Sequence, residues 1–392
     1  MVKVNPDIMI DVLIPDIDQC TENPLALLAD AGLKPENVWL LEIPINQNPL
    51  ATRYDFPWDR IKKVLGWRTA DNLGMYTHVY INDPMLLRHY KALFYVEKQK
   101  PKFIVQTHFL DSPSGRIVDD DISYWNGTFE AVEKADISLW HCESMRRVFA
   151  QDARKDFSDT RATAAIKKCD VWKDGYSINE IRKPVNVANL RFDLLTATQG
   201  KKIVWVPNRI GGLGRSFDYT NNGKFMFEIV PELWKRRQDF VVIAGNPNQK
   251  ISNNELAELC PAYVKLIETA PNRDEYRYLS AKADIVVALY LNDTNGGLAS
   301  LESMEASDGK VLPLFPNVNE YKTYFDNVNF PKHLRVAEDL SDTVDVLDRL
   351  LNVGQTPYSV ELLNFVRGYA AYEYTTPPMM DYLGWGRELK DE

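Results

Sequence analysis

The sequence predicts an α/β protein made of two Rossmann-like halves, each a parallel sheet flanked by helices. Three stretches carry that prediction. Leu279 to Tyr321 reads as an apolar strand (Ile285 to Leu291), a polar turn with Gly296 and Gly297, a short helix carrying Glu302 and Glu305, and a second apolar strand (Val311 to Phe315). Lys202 to Pro247 reads as strand, Gly-rich loop, helix, strand, and its apolar runs Ile203 to Val206 and Phe240 to Ala244 suit strands buried on both faces. Tyr124 to Phe157 repeats, in the first half, the order helix, Ala-Asp, strand, polar turn, helix. With 392 residues the chain is long enough for two cores of ordinary size.

Taken in order, the first strand is Ile8 to Ile14, followed by "PDIDQCTENP" and a helical stretch ending near Gly32; the second is Asn37 to Ile45. From Tyr54 to Arg68 a helix gathers Trp58, Ile61, Val64 and Leu65, with Arg60, Lys62, Lys63 and Arg68 around them. Such a helix could lie on an anionic membrane or along a nucleic-acid backbone, but the pattern favours a surface helix packing on its own sheet. Thr77 to Pro84 and Lys102 to Pro113 are further strands ending in polar residues, among them His108 and Asp111. The ends of strands in open α/β sheets are where ligands collect.

Asp119, Asp120 and Asp121 could hold a divalent cation against a diphosphate, but their place in a loop before a helix favours a solvated run, and no metal site is expected. His141, Glu143 and Ser144 mark the turn after the next strand. Arg146, Arg147, Arg154, Lys155, Arg161, Lys167 and Lys168 then form the densest basic region, diluted by Asp152, Asp156 and Asp159. The halves meet near Ile178 to Lys202, giving expected domains at residues 1–195 and 196–360. A segment at 361–392, rich in Tyr and Trp, is expected to return to the first domain.

Composition excludes several classes. A net charge of −9 does not advertise nucleic-acid binding, although it leaves room for a local basic groove. No apolar run approaches the roughly 18–20 residues of a membrane span, and the N-terminus is too acidic for a secretory signal, so a cytoplasmic protein is expected. Cys20, Cys142, Cys169 and Cys260 stand far apart without C-x-x-C spacing, which argues against a disulfide framework or structural zinc.

A helix that opens on glycines presents unpaired backbone N–H groups, which can cradle a phosphate or a sugar hydroxyl; a tight turn before any helix wants the same residues. Here the residues point further. The segment "GGLASLESMEASDGKVLPLFPN" resembles the donor-site segment of retaining glycosyltransferases of the two-domain GT-B fold, especially family 4, which reads roughly "FGLxxLEAMACGxPVI". Gly297, Leu298, Leu301, Glu302, Met304 and, after one inserted residue, Gly309 fall on matching positions.

The resemblance implies two Rossmann-like domains facing a central cleft, the acceptor in the first and a nucleotide-sugar, UDP-sugar favoured, in the second. Glu302 matches the last Glu of the family's Glu-x7-Glu motif, which binds the ribose. The first Glu is replaced by Thr294, so that Thr294, Asn295 or Asp293 stands in, beside Gly296 and Gly297. Arg209 and Lys224 match the family's diphosphate-holding Arg and Lys across an unusually long loop, with Arg215 able to replace either, and His108 matches a His that faces the donor sugar. Cations placed there would favour the transition state, where charge grows on the leaving diphosphate.

The implied reaction is sugar transfer to an acceptor hydroxyl with retention, with no metal and no cofactor beyond the nucleotide-sugar. The long Arg-to-Lys loop and divergent Glu motif are similar to those of bacteriophage DNA-glucosylating enzymes. That makes a hydroxymethylated DNA base one expected acceptor, in a host cytoplasm if the chain is viral, with a glycan, lipid-linked sugar or small molecule as the alternative. A GT-B binding protein that has lost catalysis with the first Glu is the reading of a different class.

Overall fold

The computed structural model describes residues 3–4, 10–15, 38–43, 76–96, 100–107, 122–173, 175–207, 225–244, 261–262, 272–289, 297–354, 356–383 and 386–387. The chain divides into two compact units, one comprising Met1–Lys173 with Tyr372–Glu392, the other Asp174–Ala371.

The first unit begins with β1 (Lys3–Val4), β2 (Ile10–Pro15), β3 (Val38–Ile43), β4 (His78–Ile81) and helix α1 (Leu87–Val96). It continues with β5 (Lys102–Thr107), α2 (Ile122–Lys134), β6 (Ile137–Trp140), α3 (Glu143–Asp156), α4 (Asp159–Ile166) and β7 (Cys169–Val171). Among the described residues β4, β5, β6 and β7 form a parallel sheet in that order, and β2 pairs with β3, also in parallel.

Every residue of β5 except Lys102 is buried, which is why its sequence is apolar without alternating. Aromatic packing fills one side of this unit: Phe129 stacks on Phe157 at 3.6 Å between ring centres, and Trp140 meets Phe149 at 4.6 Å. Each fully buried ring contributes roughly 1.5–3 kcal/mol relative to exposure.

The second unit holds α5 (Ile178–Ile181), α6 (Phe192–Thr198), β8 (Lys202–Val206), a π-turn at Phe225–Ile229 running into α7 (Val230–Arg236), and β9 (Phe240–Ala244). After these come α8 (Arg273–Lys282), β10 (Ile285–Val287), α9 (Leu298–Ala306), β11 (Leu312–Leu314), α10 (Asn319–Asn327), α11 (Thr343–Val353) and α12 (Pro357–Ala370). Local chemistry sets several ends. Asn272 and Glu275 form a reciprocal capping box at the start of α8. Thr356 caps α12 with Pro357 in its first turn.

Among the described residues the strands of this unit run parallel in the order β11, β10, β8, β9. The chain therefore steps from β8 to β9 in one direction and from β10 to β11 in the other. Strand order reverses between β8 and β10, and in open α/β sheets ligands bind outside the carboxyl ends at such a switch point. The strands match the apolar runs of the sequence, although β10 stops at Val287 and β11 at Leu314, short of the expected Leu291 and Phe315. Ala288, Leu289 and Phe315 are still buried, so the apolar run outlasts the ladder because it also supplies core beyond the last paired residue.

The chain then forms α13 (Tyr372–Tyr382) and β12 (Gly386–Arg387), both in the first unit. Met379 and Leu383 pack with Ile104 of β5 and Leu139 of β6, and β12 pairs antiparallel with β1. Among the described residues no helix is long and apolar enough to cross a membrane.

Candidate functional site

The switch-point edge of the second unit carries the start of α9. Gly297 is its N-cap, at φ 60 and ψ 67, in the left-handed region that L side chains avoid. Space requires glycine as well. A Cβ at this position would lie 2.8 Å from the Tyr321 hydroxyl and 3.5 Å from both Ala288 Cβ and Ser300 Oγ. The amides of Ser300 and Leu301 return to the Gly297 carbonyl at 2.9 and 3.3 Å, while those of Leu298 and Ala299 belong to the first turn, whose N–H groups have no partner within the helix itself.

Two side chains furnish this helix start. Ser300 is fully buried and its hydroxyl has no hydrogen-bond partner among the described residues, a state that costs about 1–3 kcal/mol until something accepts or donates there. Glu302 is half-buried one turn into the helix, and the Tyr276 hydroxyl on α8 donates to its Oε2. Burial, and then the charge of Glu302, push the Tyr276 phenol well above its ordinary pKa, so it stays protonated and serves as a fixed donor. Trp205 of β8 holds the Tyr276 ring edge-on at 6.2 Å, which ties the carboxylate to the central strand through one phenol. A carboxylate so oriented at a helix start, beside first-turn amides, suits a ligand that carries both hydroxyls and anionic oxygens.

Of the residues named from sequence, Gly297, Leu298 and Glu302 lie together on this helix start, with Leu298 packed against the core beneath it. Arg209, Arg215, Lys224, Thr294, Asn295, Gly296 and His108 lie outside the described residues, as do Asp293, Asp111 and Asp119 to Asp121. Tyr276 and Ser300 were not legible as site residues. Tyr276 is separated from Glu302 by a strand and a turn, and a serine inside a helix is ordinary.

The first unit offers a second polar edge. Gln106 and Thr107 end β5, both are buried, and among the described residues neither Gln106 Nε2 nor Thr107 Oγ1 has a hydrogen-bond partner. Thr107 stands opposite Trp140, which is followed by the buried His141. The basic region that follows is partly self-neutralised. Arg146 pairs with Glu143 at 2.6 Å, Arg161 with Glu133 at 2.6 Å, and Lys168 donates to the Glu133 carbonyl at 2.5 Å. Arg147, Arg154, Lys155 and Lys167 are exposed.

No protein-family model matches the sequence, and no curated protein sequence matches it. Solved structures do match. A trehalose-phosphate synthase (UDP-forming) from Burkholderia xenovorans, in complex with glucose-6-phosphate, superposes with a TM-score of 0.58 at 12% identity over 83% of this chain and 77% of the other. The trehalose 6-phosphate synthase of Burkholderia multivorans gives 0.62 at 13% identity over 87% and 78%. HepE of Anabaena, in complex with UDP and glucose, gives 0.59 at 10% identity over 95% and 91%. At this identity the likeness carries the architecture: this chain has the GT-B fold, with two Rossmann-like domains.

Proposed function

We propose that this protein is a glycosyltransferase that moves a sugar from a nucleotide-sugar, UDP-sugar favoured, to an acceptor hydroxyl with retention of configuration. The observation that carries this reading is the start of α9: a left-handed Gly297 opening the first-turn amides, a Ser300 hydroxyl without a partner among the described residues, and Glu302 oriented by Tyr276 at the switch point of the sheet. Structural neighbours solved with UDP or with UDP-glucose support the same ligand class.

In this reading the second unit binds the donor and the first unit the acceptor. Glu302 takes the ribose hydroxyls, the amides of α9 face the diphosphate, and Arg209, Arg215 and Lys224 supply cations to the leaving group. Thr294, Asn295 and Gly296 are our candidates for holding the donor sugar, and His108 our candidate for a sugar contact. No metal is required. The exposed Arg147, Arg154, Lys155 and Lys167 favour a polyanionic acceptor, a hydroxymethylated base within DNA, over a neutral glycan.

A thermal-unfolding series with UDP, GDP, ADP, CMP and dTDP and their common sugars tests the donor. One nucleotide at about 100 times its dissociation constant should add about 2.7 kcal/mol of stability, a rise of a few degrees. Glu302→Ala should remove most of that effect, since a hydrogen bond to a charged group contributes about 1.5–3 kcal/mol, one to two decades in affinity. No shift with any nucleotide would overturn the reading. Transfer to hydroxymethylated DNA whose binding falls steeply with salt would fix the acceptor, and transfer to a glycan with a flat salt response would replace it.

A further inference from the structure

Helix α9 carries a second carboxylate that donor binding does not use. Glu305 is completely buried, and a carboxylate persists there only where cations and hydrogen bonds replace its water. Arg367 supplies them bidentately, Nε to Oε2 at 2.8 Å and Nη2 to Oε1 at 3.0 Å. Arg182 donates from Nε to Oε1 at 2.6 Å, and the Tyr176 hydroxyl donates to Oε2 at 3.2 Å. Asp308, in the left-handed turn after α9, accepts from the outer nitrogens of the same two arginines at 2.6 and 3.1 Å. Two guanidinium groups, both partly exposed, thus meet two carboxylates, of which only Glu305 is fully buried.

The partners come from two particular places in the chain. Tyr176 and Arg182 belong to the segment by which the chain enters the second unit after Lys173, and Arg367 lies one turn before it leaves after Ala371. Those two segments also pair with each other, with Tyr176 bridged to Ala371 and its amide donating to the Ala370 carbonyl at 3.2 Å. Both crossings are therefore fastened to one carboxylate, on the helix whose start carries Gly297 and Glu302. On an α-helix Glu302 and Glu305 project about 60° apart, so any rotation or slide of α9 moves both.

We propose that Glu305 is a positioning residue: clamped by Arg182, Arg367 and Tyr176, it sets the rotation and height of α9 and so holds Glu302 and the first-turn amides where the donor needs them. Stability alone would not call for such a group, because apolar replacements of buried ion pairs are often neutral or better. A bidentate network provides direction instead. This inference rests on the donor reading of the α9 site.

The experiment compares UDP binding, with GDP and ADP alongside, by titration calorimetry in wild type, Arg182→Gln, Glu305→Gln and a control, Arg237→Gln. Arg237 anchors a separate cluster of the same unit, with Asp239 at 2.7 Å, Asp348 at 2.9 Å and Asn352 at 2.8 Å, none of them on α9. Arg182 is partly exposed, so its loss leaves Glu305 paired with Arg367 and the fold intact even should Glu305→Gln fail to fold. Arg182→Gln and the control should each lower Tm by a few degrees. Only Arg182→Gln and Glu305→Gln should weaken nucleotide binding, by about tenfold, as small misplacements of binding groups do. Nucleotide affinity in Arg182→Gln within twofold of wild type, or an equal loss in Arg237→Gln, would overturn the positioning role and leave the donor site standing. A wild type that binds none of the nucleotides would overturn both.

Discussion

The two units use the same parallel-sheet plan but finish their strand ends differently. At the edge of the second unit nearly every charged group around α9 is spoken for. Tyr276 fixes Glu302, two arginines fix Glu305, and Asp308 takes what remains of their donors. At the end of β5 in the first unit, Gln106 and Thr107 bury polar atoms that have no partner among the described residues. One edge is preorganised by the protein itself. The other holds polarity in reserve, a cost of about 1–3 kcal/mol per buried group that a bound ligand would remove.

The largest way to break this contrast is Gly297→Ala. The left-handed backbone costs a non-glycine residue about 1–2 kcal/mol, and the added methyl meets the Tyr321 hydroxyl, so urea unfolding should show a loss of at least that size together with loss of nucleotide stabilisation. Tyr276→Phe is gentler. It keeps the ring against Trp205 but frees Glu302, and nucleotide affinity should fall several-fold with little change in Tm.

A matched pair sharpens the comparison. Ser300→Ala and Thr107→Val each delete a buried, unpartnered hydroxyl, so each should stabilise the ligand-free protein by up to about 1 kcal/mol in chemical denaturation. Only Ser300→Ala should weaken nucleotide binding. Equal effects of both on nucleotide affinity would erase the distinction between the two edges.

The smallest expected effect concerns pH. Burial pushes the Cys169 thiol up to about 11 and the Tyr90 phenol up to about 12, both in the first unit. Because the folded pKa is raised, the stability they contribute is complete below their unfolded values of 9.0 and 10.0 and is lost as pH rises toward the folded ones. Urea midpoints should therefore decline between about pH 9 and 12, and Cys169→Ala should shallow the early part of that decline.

Much of the architecture was legible because it rests on short-range pattern. The doubly buried runs at Lys202–Val206 and Phe240–Ala244 and the glycine that opens α9 announce themselves within a dozen residues. The Glu305 cluster does not, because Arg182 and Arg367 reach it from 123 and 62 residues away and no periodicity encodes that meeting. Arg146 shows the opposite error. Read as part of a basic face, it is turned onto Glu143 by i,i+3 spacing, a pairing that local sequence does contain. Within the site, Glu302 was found through its motif, while Tyr276 came only from the packing of α8 against α9.

The division of the chain has a consequence for how the molecule is made. The second unit is one continuous stretch, Asp174–Ala371, whereas the first is split around it and pairs β1 with β12. As the chain emerges during synthesis, the second unit is complete and able to fold while the first still lacks α13 and β12. Met379 and Leu383 reach Ile104 and Leu139 only once that segment has been made, so the apolar surface of β5 and β6 waits for it to be covered. A released chain truncated after Ala371 should protect the second unit from protease and leave the first open.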